Sequence, residues 1–195
     1  MIDPEDQNVV EALTIALSDE QRADPLASFP ADPTIASHAG HYSWWADDAA
    51  RSIIGARLGV PIPRLIYAGQ ADATRWPSGT TSKATLGSRI RGNHIGGNAS
   101  SSTFRLTLSG LLLEPLDLVV AKPGCVQRED NGRVSDWIEE HLRVAIVAYD
   151  DRDSLEEIEK AVLALLDPAL NLDGRPKTAS RTLLSNLRKR ITTST

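Results

Sequence analysis

A single cysteine, Cys125, stands in a chain of 195 residues. Intrachain disulfides and a thiolate zinc cluster are both excluded by that count. No apolar run approaches the roughly eighteen residues that a membrane-spanning helix needs. The first residues, Met1-Ile2-Asp3-Pro4-Glu5-Asp6, lack the basic-then-apolar layout of a secretory signal, so a cytoplasmic protein is expected. Charge of one sign is scarce over whole stretches. Residues 1–50 hold one base, Arg22, against ten acids, and residues 175–195 hold six bases and no acid. Residues 51–126 hold nine bases against three acids, and residues 127–174 thirteen acids against five bases, within an overall charge of −5. Two basic blocks on an acidic protein are the footprint of a local polyanion site if folding brings them together. With 41% hydrophobic residues there is enough apolar material for one globular domain with extensions at its ends.

Periodicity gives the elements. Val9, Val10, Leu13, Ala16 and Leu17 predict a short amphipathic helix, followed by an irregular arm over residues 19–37. The aromatic run Gly40–Trp45 suits a strand at a sheet edge. Asp47–Leu58 predicts a helix stopped by Gly59, and Leu65–Tyr67 a short strand. A polar loop over 70–81 leads to a helix opened by Ser82, with Leu86 and Ile90 inward. Residues 95–102 read as a flexible connector, Thr103–Leu113 as an apolar helix and 122–135 as a polar loop. Leu142–Tyr149 is the clearest strand. Ser154 and Glu157 have capping-box spacing before a helix to Leu166, whose apolar face is Leu155, Ile158, Val162, Leu165 and Leu166. Leu183, Leu184, Leu187 and Ile191 stripe a basic C-terminal helix.

The residues singled out for chemistry are Tyr42, Tyr67, Arg89, His94, Glu159 and Asn171. A tyrosine at a strand end beside a basic helix can hold a phosphate, because guanidinium matches phosphate oxygens bidentately. Gly40-x-Tyr42, Tyr67-x-Gly69, the arginine-bearing helix, and then Glu159 and Asn171 twelve residues apart together resemble the GIY-YIG nuclease superfamily. The likeness spans roughly residues 39–174, with an acidic N-terminal helix and arm (1–38) before it and a basic helix (175–195) after it. It implies an α+β fold, a small antiparallel three-stranded sheet flanked by helices, and metal-dependent hydrolysis of a DNA phosphodiester. The wide gap between the two tyrosines, the chain length and the terminal extensions resemble the restriction-endonuclease branch. A homodimer is the economical arrangement for cutting both strands.

Carried over by position, Tyr42 and Tyr67 match the two motif tyrosines, Arg89 the helix arginine, Glu159 the metal-binding carboxylate and Asn171 the late asparagine. Either phenol can activate water if a cation or metal lowers its pKa from about 10, and the resemblance favours Tyr42. Arg89 or Arg91 would neutralise the scissile phosphate, Lys83 would supply a further cation, and His94 would bind phosphate or assist proton transfer. Glu159 would hold Mg²⁺ (or Mn²⁺), a hard cation that takes few carboxylates and keeps waters. Each residue has a plainer reading: core aromatics for the tyrosines, a solvated acidic helix face for Glu159, a turn cap for Asn171. His41 and Ala68 replace the central isoleucines of the two motifs, and Gln70 stands where lysine is common in the family. A catalytically silent DNA-binding protein and a repair or single-strand nuclease are therefore the rival readings.

Overall fold

The computed structural model describes residues 4–71 and 83–193. Its centre is an antiparallel sheet in the order β1-β6-β2-β3, with β2 at Gly40–Ala46, β3 at Leu65–Ala71 and β6 at Leu142–Ala148. The expected three strands are β3, β2 and β6; a fourth, β1 (Asp24–Pro25), adds two residues along the outer edge of β6. Gly40–Ala46 is the middle strand rather than an edge, hydrogen-bonded to β3 on one side and β6 on the other. Every residue of it is buried, so its backbone groups need partners on both sides.

Helices cover both faces. Tyr42, Trp44 and Tyr67 point into the main core, where Trp44 stacks on Phe104 with ring centroids 4.5 Å apart. This face is covered by a π-helical segment at Ser88–Ile95 and by α4 (Thr103–Leu112), capped by Ser102 accepting from Arg105 N–H. On the opposite face α1 (Pro4–Ser18) packs against α6 (Leu155–Leu166) through Val10, Leu13, Leu17, Ile158 and Val162. A single turn, α2 (Pro33–Ala36), precedes β2. Between β2 and β3, α3 (Asp48–Leu58) starts where Asp47 accepts from Ala50 N–H, and it ends at Gly59 with φ +68°. The C-terminal helix, α7 (Ala179–Thr192), buries Leu184, Leu187 and Ile191 in the same core as Trp44 and Phe104. It is therefore part of the domain's packing and not an appended arm.

Several expectations change. Residues 122–135 are not a loop: β4 (Val120–Lys122) and β5 (Cys125–Val126) form a hairpin, and α5 (Arg128–His141) follows. Its only buried apolar residues are Val134, Trp137 and Ile138, a stripe too sparse to stand out among charged neighbours. Ser154 stands at the N-cap position of α6 but makes no side-chain capping bond; its hydroxyl bonds the Asp151 carboxylate (2.9 Å) and the Tyr149 hydroxyl (2.8 Å) instead. Leu165 is 63% exposed, outside the buried stripe. The helix expected from Ser82 begins only at Leu86. Residues 83–85 are not helical, and Thr85 and Ser88 bond each other's backbone N–H through their hydroxyls. Ser82 itself and most of the 70–81 loop lie outside the described residues, though β3 runs on to Ala71. Among the described residues no helix is long and apolar enough to cross a membrane.

Candidate active site

Two glycines fix how closely the central strands can approach their neighbours. Gly40 has φ +152°, and a Cβ there would sit 2.1 Å from the Val147 carbonyl oxygen and 2.9 Å from the Tyr149 nitrogen, so no side chain fits. Gly69 lies opposite Tyr42 in the β2–β3 register. A Cβ at Gly69 would stand 2.7 Å from the Tyr42 hydroxyl oxygen, so the phenol ring rests on the bare glycine backbone. Tyr67 pairs with Trp44 in the same register. Because strand side chains alternate, Tyr42 and Tyr67 project from one face as a diagonal pair.

The π-helical segment completes the group. Its wider turn closes with Gly96 N–H donating to Arg91 O, an i→i+5 bond of 2.8 Å. Residues five apart then share a side, whereas on an α-helix they would diverge by about 140°. Arg89 and His94 are five apart, and both reach Tyr42. His94 is fully buried, with Nε2 2.7 Å from the Tyr42 hydroxyl and Nδ1 2.7 Å from Ser102 Oγ. Burial, with the charges of Arg89 and Arg105 nearby, holds its pKa well below the ordinary value. A neutral ring carries one proton, so one of these bonds is donated and the other accepted. Arg89 lies near Tyr42, Tyr67 and Glu159, close enough for its charge to act on all three, while its buried Nε has no protein acceptor among the described residues.

Glu159 is half-buried on α6 and lines a cavity of about 820 Å³ with Tyr67, Gln70, Thr103, Asn171 and Asp173. Burial pushes its pKa up to about 7; Arg89 and Lys160 oppose that shift, while Glu156 and Asp173 add to it. Tyr67 is pushed up to about 12 by burial and the Glu159 charge. Tyr42 is raised further, by burial and then by Tyr67, against the pull of Arg89. Asn171 works on the strand edge: its Oδ1 accepts from Ala68 N–H (3.0 Å) and its Nδ2 donates to Ala68 O (2.8 Å). That carboxamide pair imitates a further strand and pins the segment that carries Asp173 against β3.

Tyr42, Tyr67, Arg89, His94, Glu159 and Asn171 thus converge from β2, β3, the π-helical segment, α6 and the loop after it. Arg91 does not join them; it donates to the Phe29 carbonyl and lies over the Phe29 ring, 5.8 Å from its centroid. Lys83 is exposed, the first described residue after the gap. The sequence pattern did not single out Ser102 or Arg105. Arg105 is fully buried, donates to the His94 (3.1 Å) and Ile95 (2.5 Å) carbonyls, and so closes the π-helical end that holds His94. Burial lowers its pKa to about 10. Ser102 was legible as an N-cap before an apolar helix; nothing local marks Arg105.

Among the described residues no group of three or more His, Cys, Asp or Glu side chains could hold a metal. The donor set nevertheless fits Mg²⁺, which binds through one or two carboxylates and completes its shell with water and substrate phosphate. Glu159 would be that carboxylate, and the cavity it lines leaves room for the rest.

The family of the GIY-YIG catalytic domain matches residues 40–190. No curated relative and no solved structure matches the chain. The match runs through all six converging residues and across α7 to Arg190, and on it the chain belongs to the GIY-YIG family, whose domain is a nuclease of the endonuclease kind.

Proposed function

We propose that this protein is a Mg²⁺-dependent (or Mn²⁺-dependent) DNA endonuclease of restriction type, acting as a homodimer. The observation that carries the reading is the grouping of Arg89, Tyr42, Tyr67 and a half-buried Glu159, of which Tyr67 and Glu159 line an open cavity and Arg89 and Tyr42 lie beside them. Phosphodiester hydrolysis needs a proton acceptor for water, positive charge for the crowded phosphorus, and stabilisation of the leaving oxygen. Arg89 offers a guanidinium whose Nε is not spent on the protein. If His94 Nδ1–H donates to Ser102 Oγ, Nε2 is left as an acceptor for the Tyr42 proton. The neutral His94 ring would orient the Tyr42 hydroxyl by that hydrogen bond, and the Arg89 charge beside it favours the phenolate that would take a proton from the attacking water. Tyr67, on the cavity wall, is placed to hold the phosphate. A bound Mg²⁺ would polarise the phosphate and stabilise the leaving alkoxide, held by Glu159.

Incubation with supercoiled plasmid and with genomic DNA in Mg²⁺ tests the proposal. Discrete fragments are expected. A smear or nicking alone would replace the restriction role by a repair-type nuclease, and bound but uncut DNA across several divalent metals would replace catalysis by binding.

A further inference from the structure

The segment 175–195 carries six bases and no acid, and the site just described uses none of them. Three are neutralised within the chain. Arg175 and Arg181 pair with Asp167 at 3.5 and 2.8 Å, and Arg190 pairs with Glu114 at 2.6 Å. The other three, Lys177, Arg188 and Lys189, form no ion pair among the described residues. All three line open cavities beside α7. Arg188 borders a cavity of about 360 Å³ that shares Tyr67, Thr103, Asn171 and Asp173 with the catalytic one. Lys177 and Lys189 border a second, of about 300 Å³, and Leu172 lines both. Thr182 and Asn186 supply neutral donors between the two lysines. Asp173 lies near Arg188 without forming an ion pair, and it is the one carboxylate on this path. A row of unpaired cations and amide or hydroxyl donors, continuous with a cavity that holds a scissile phosphate, matches the repeating anion of a nucleic-acid strand.

We propose that this face of α7 is a track for the DNA backbone, with Arg188 holding a phosphate next to the scissile one and Lys177 and Lys189 holding those beyond. The proposal rests on the endonuclease reading and adds to it where the cleaved strand runs. Each neutralised phosphate releases counterions, so each contact leaves a signature in the salt dependence of binding.

The test is fluorescence anisotropy with a labelled DNA duplex over a range of NaCl, in a Glu159→Gln background that prevents cleavage. Lys177→Gln/Lys189→Gln is the first variant, because both side chains are exposed and their loss leaves the core intact. Arg188→Gln is the second, and Arg190→Gln on the same helix is the control. The slope of log Kd against log salt should fall by about 0.9 per contact, so by about 1.8 in the double variant, and should not change in Arg190→Gln. With Glu159 restored, Lys177→Gln/Lys189→Gln should keep the parent's rate at saturating DNA and raise only the DNA concentration needed. Parent-like slopes in both α7 variants, with the parent binding DNA, would overturn the track and leave the endonuclease reading standing. A Glu159→Gln protein and a parent that both fail to bind DNA would overturn the two together.

Discussion

Replacing Gly69 by alanine should disable the site through one methyl group. Its Cβ would meet the Tyr42 hydroxyl oxygen at 2.7 Å, Cζ at 2.9 Å and Cε2 at 3.3 Å, where ordinary contact begins at 3.4 Å. The phenol must therefore retreat by about 0.7 Å, the shortfall between 3.4 and 2.7 Å. It has little freedom to do so, since its oxygen is already 2.7 Å from His94 Nε2 and its ring is buried on every side. Overpacking a core of this kind costs roughly 1–3 kcal/mol, and a strained or broken buried hydrogen bond adds about 1 kcal/mol. A domain of this size then loses roughly 4–16 °C in unfolding temperature. Misplacement of a reacting group by a large part of an ångström costs on the order of 100-fold in rate. Thermal unfolding read beside single-turnover DNA cleavage would measure both. Gly132→Ala is the contrast: it lies inside α5, and a methyl group there would have nothing within 4 Å. Alanine at that position should stabilise by about 0.5–1 kcal/mol and leave cleavage unchanged. If Gly69→Ala melts and cuts like the parent, the tyrosine does not rest on that glycine and the close packing does not hold it in place.

Asn171→Ala leaves the Ala68 N–H and C=O at the β3 edge without partners, at roughly 1–3 kcal/mol for each buried group, and denaturant unfolding should show the loss. Glu159, raised to about 7 from an ordinary 4.5, favours its protonated form in the fold, so its contribution to stability is lost as pH rises from about 4.5 to 7. Glu159→Gln should therefore stabilise the protein at pH 8, by at most about 3 kcal/mol, with the gain vanishing near pH 4.5; equal melting temperatures at pH 8 would contradict the shift. His41, buried and lowered to about 4 from 6.5, acts the other way, because the unfolded chain takes up its proton first as pH falls. Stability should drop between about pH 6.5 and 4 by up to about 1.4 kcal/mol per pH unit, and His41→Gln should flatten that limb.

Much of this was legible in the sequence because the chemistry sits on strands and helices with strong patterns. The two tyrosines and their glycines fall on strands whose register follows from alternation, and Glu159 lies beside the buried stripe of α6. What the sequence hid was whatever depended on distant partners. The choice between Arg89 and Arg91 turns on the π-helical winding of Ser88–Ile95, which no local pattern announces; it carries Arg91 toward Phe29 and Arg89 toward Tyr42. Helix α5 was invisible because it needs only three apolar side chains to dock. Leu165 looked buried by spacing alone, although α1 covers only the Ile158–Val162 flank of α6. The basic C-terminal helix looked like an appendage, and its place in the core follows from close packing: a Cβ on Gly110 of α4 would come within 2.9 Å of the Leu187 backbone.

If Glu159 holds the metal for phosphodiester cleavage at this cavity, its loss should abolish cutting and spare binding. Parent and Glu159→Gln should be compared on one DNA substrate, each with Mg²⁺ and with chelator, reading binding and cleavage in the same samples. Both proteins should bind, and only the parent with Mg²⁺ should cut. Cleavage by Glu159→Gln at the parent's rate, or by the parent in chelator, would contradict that role.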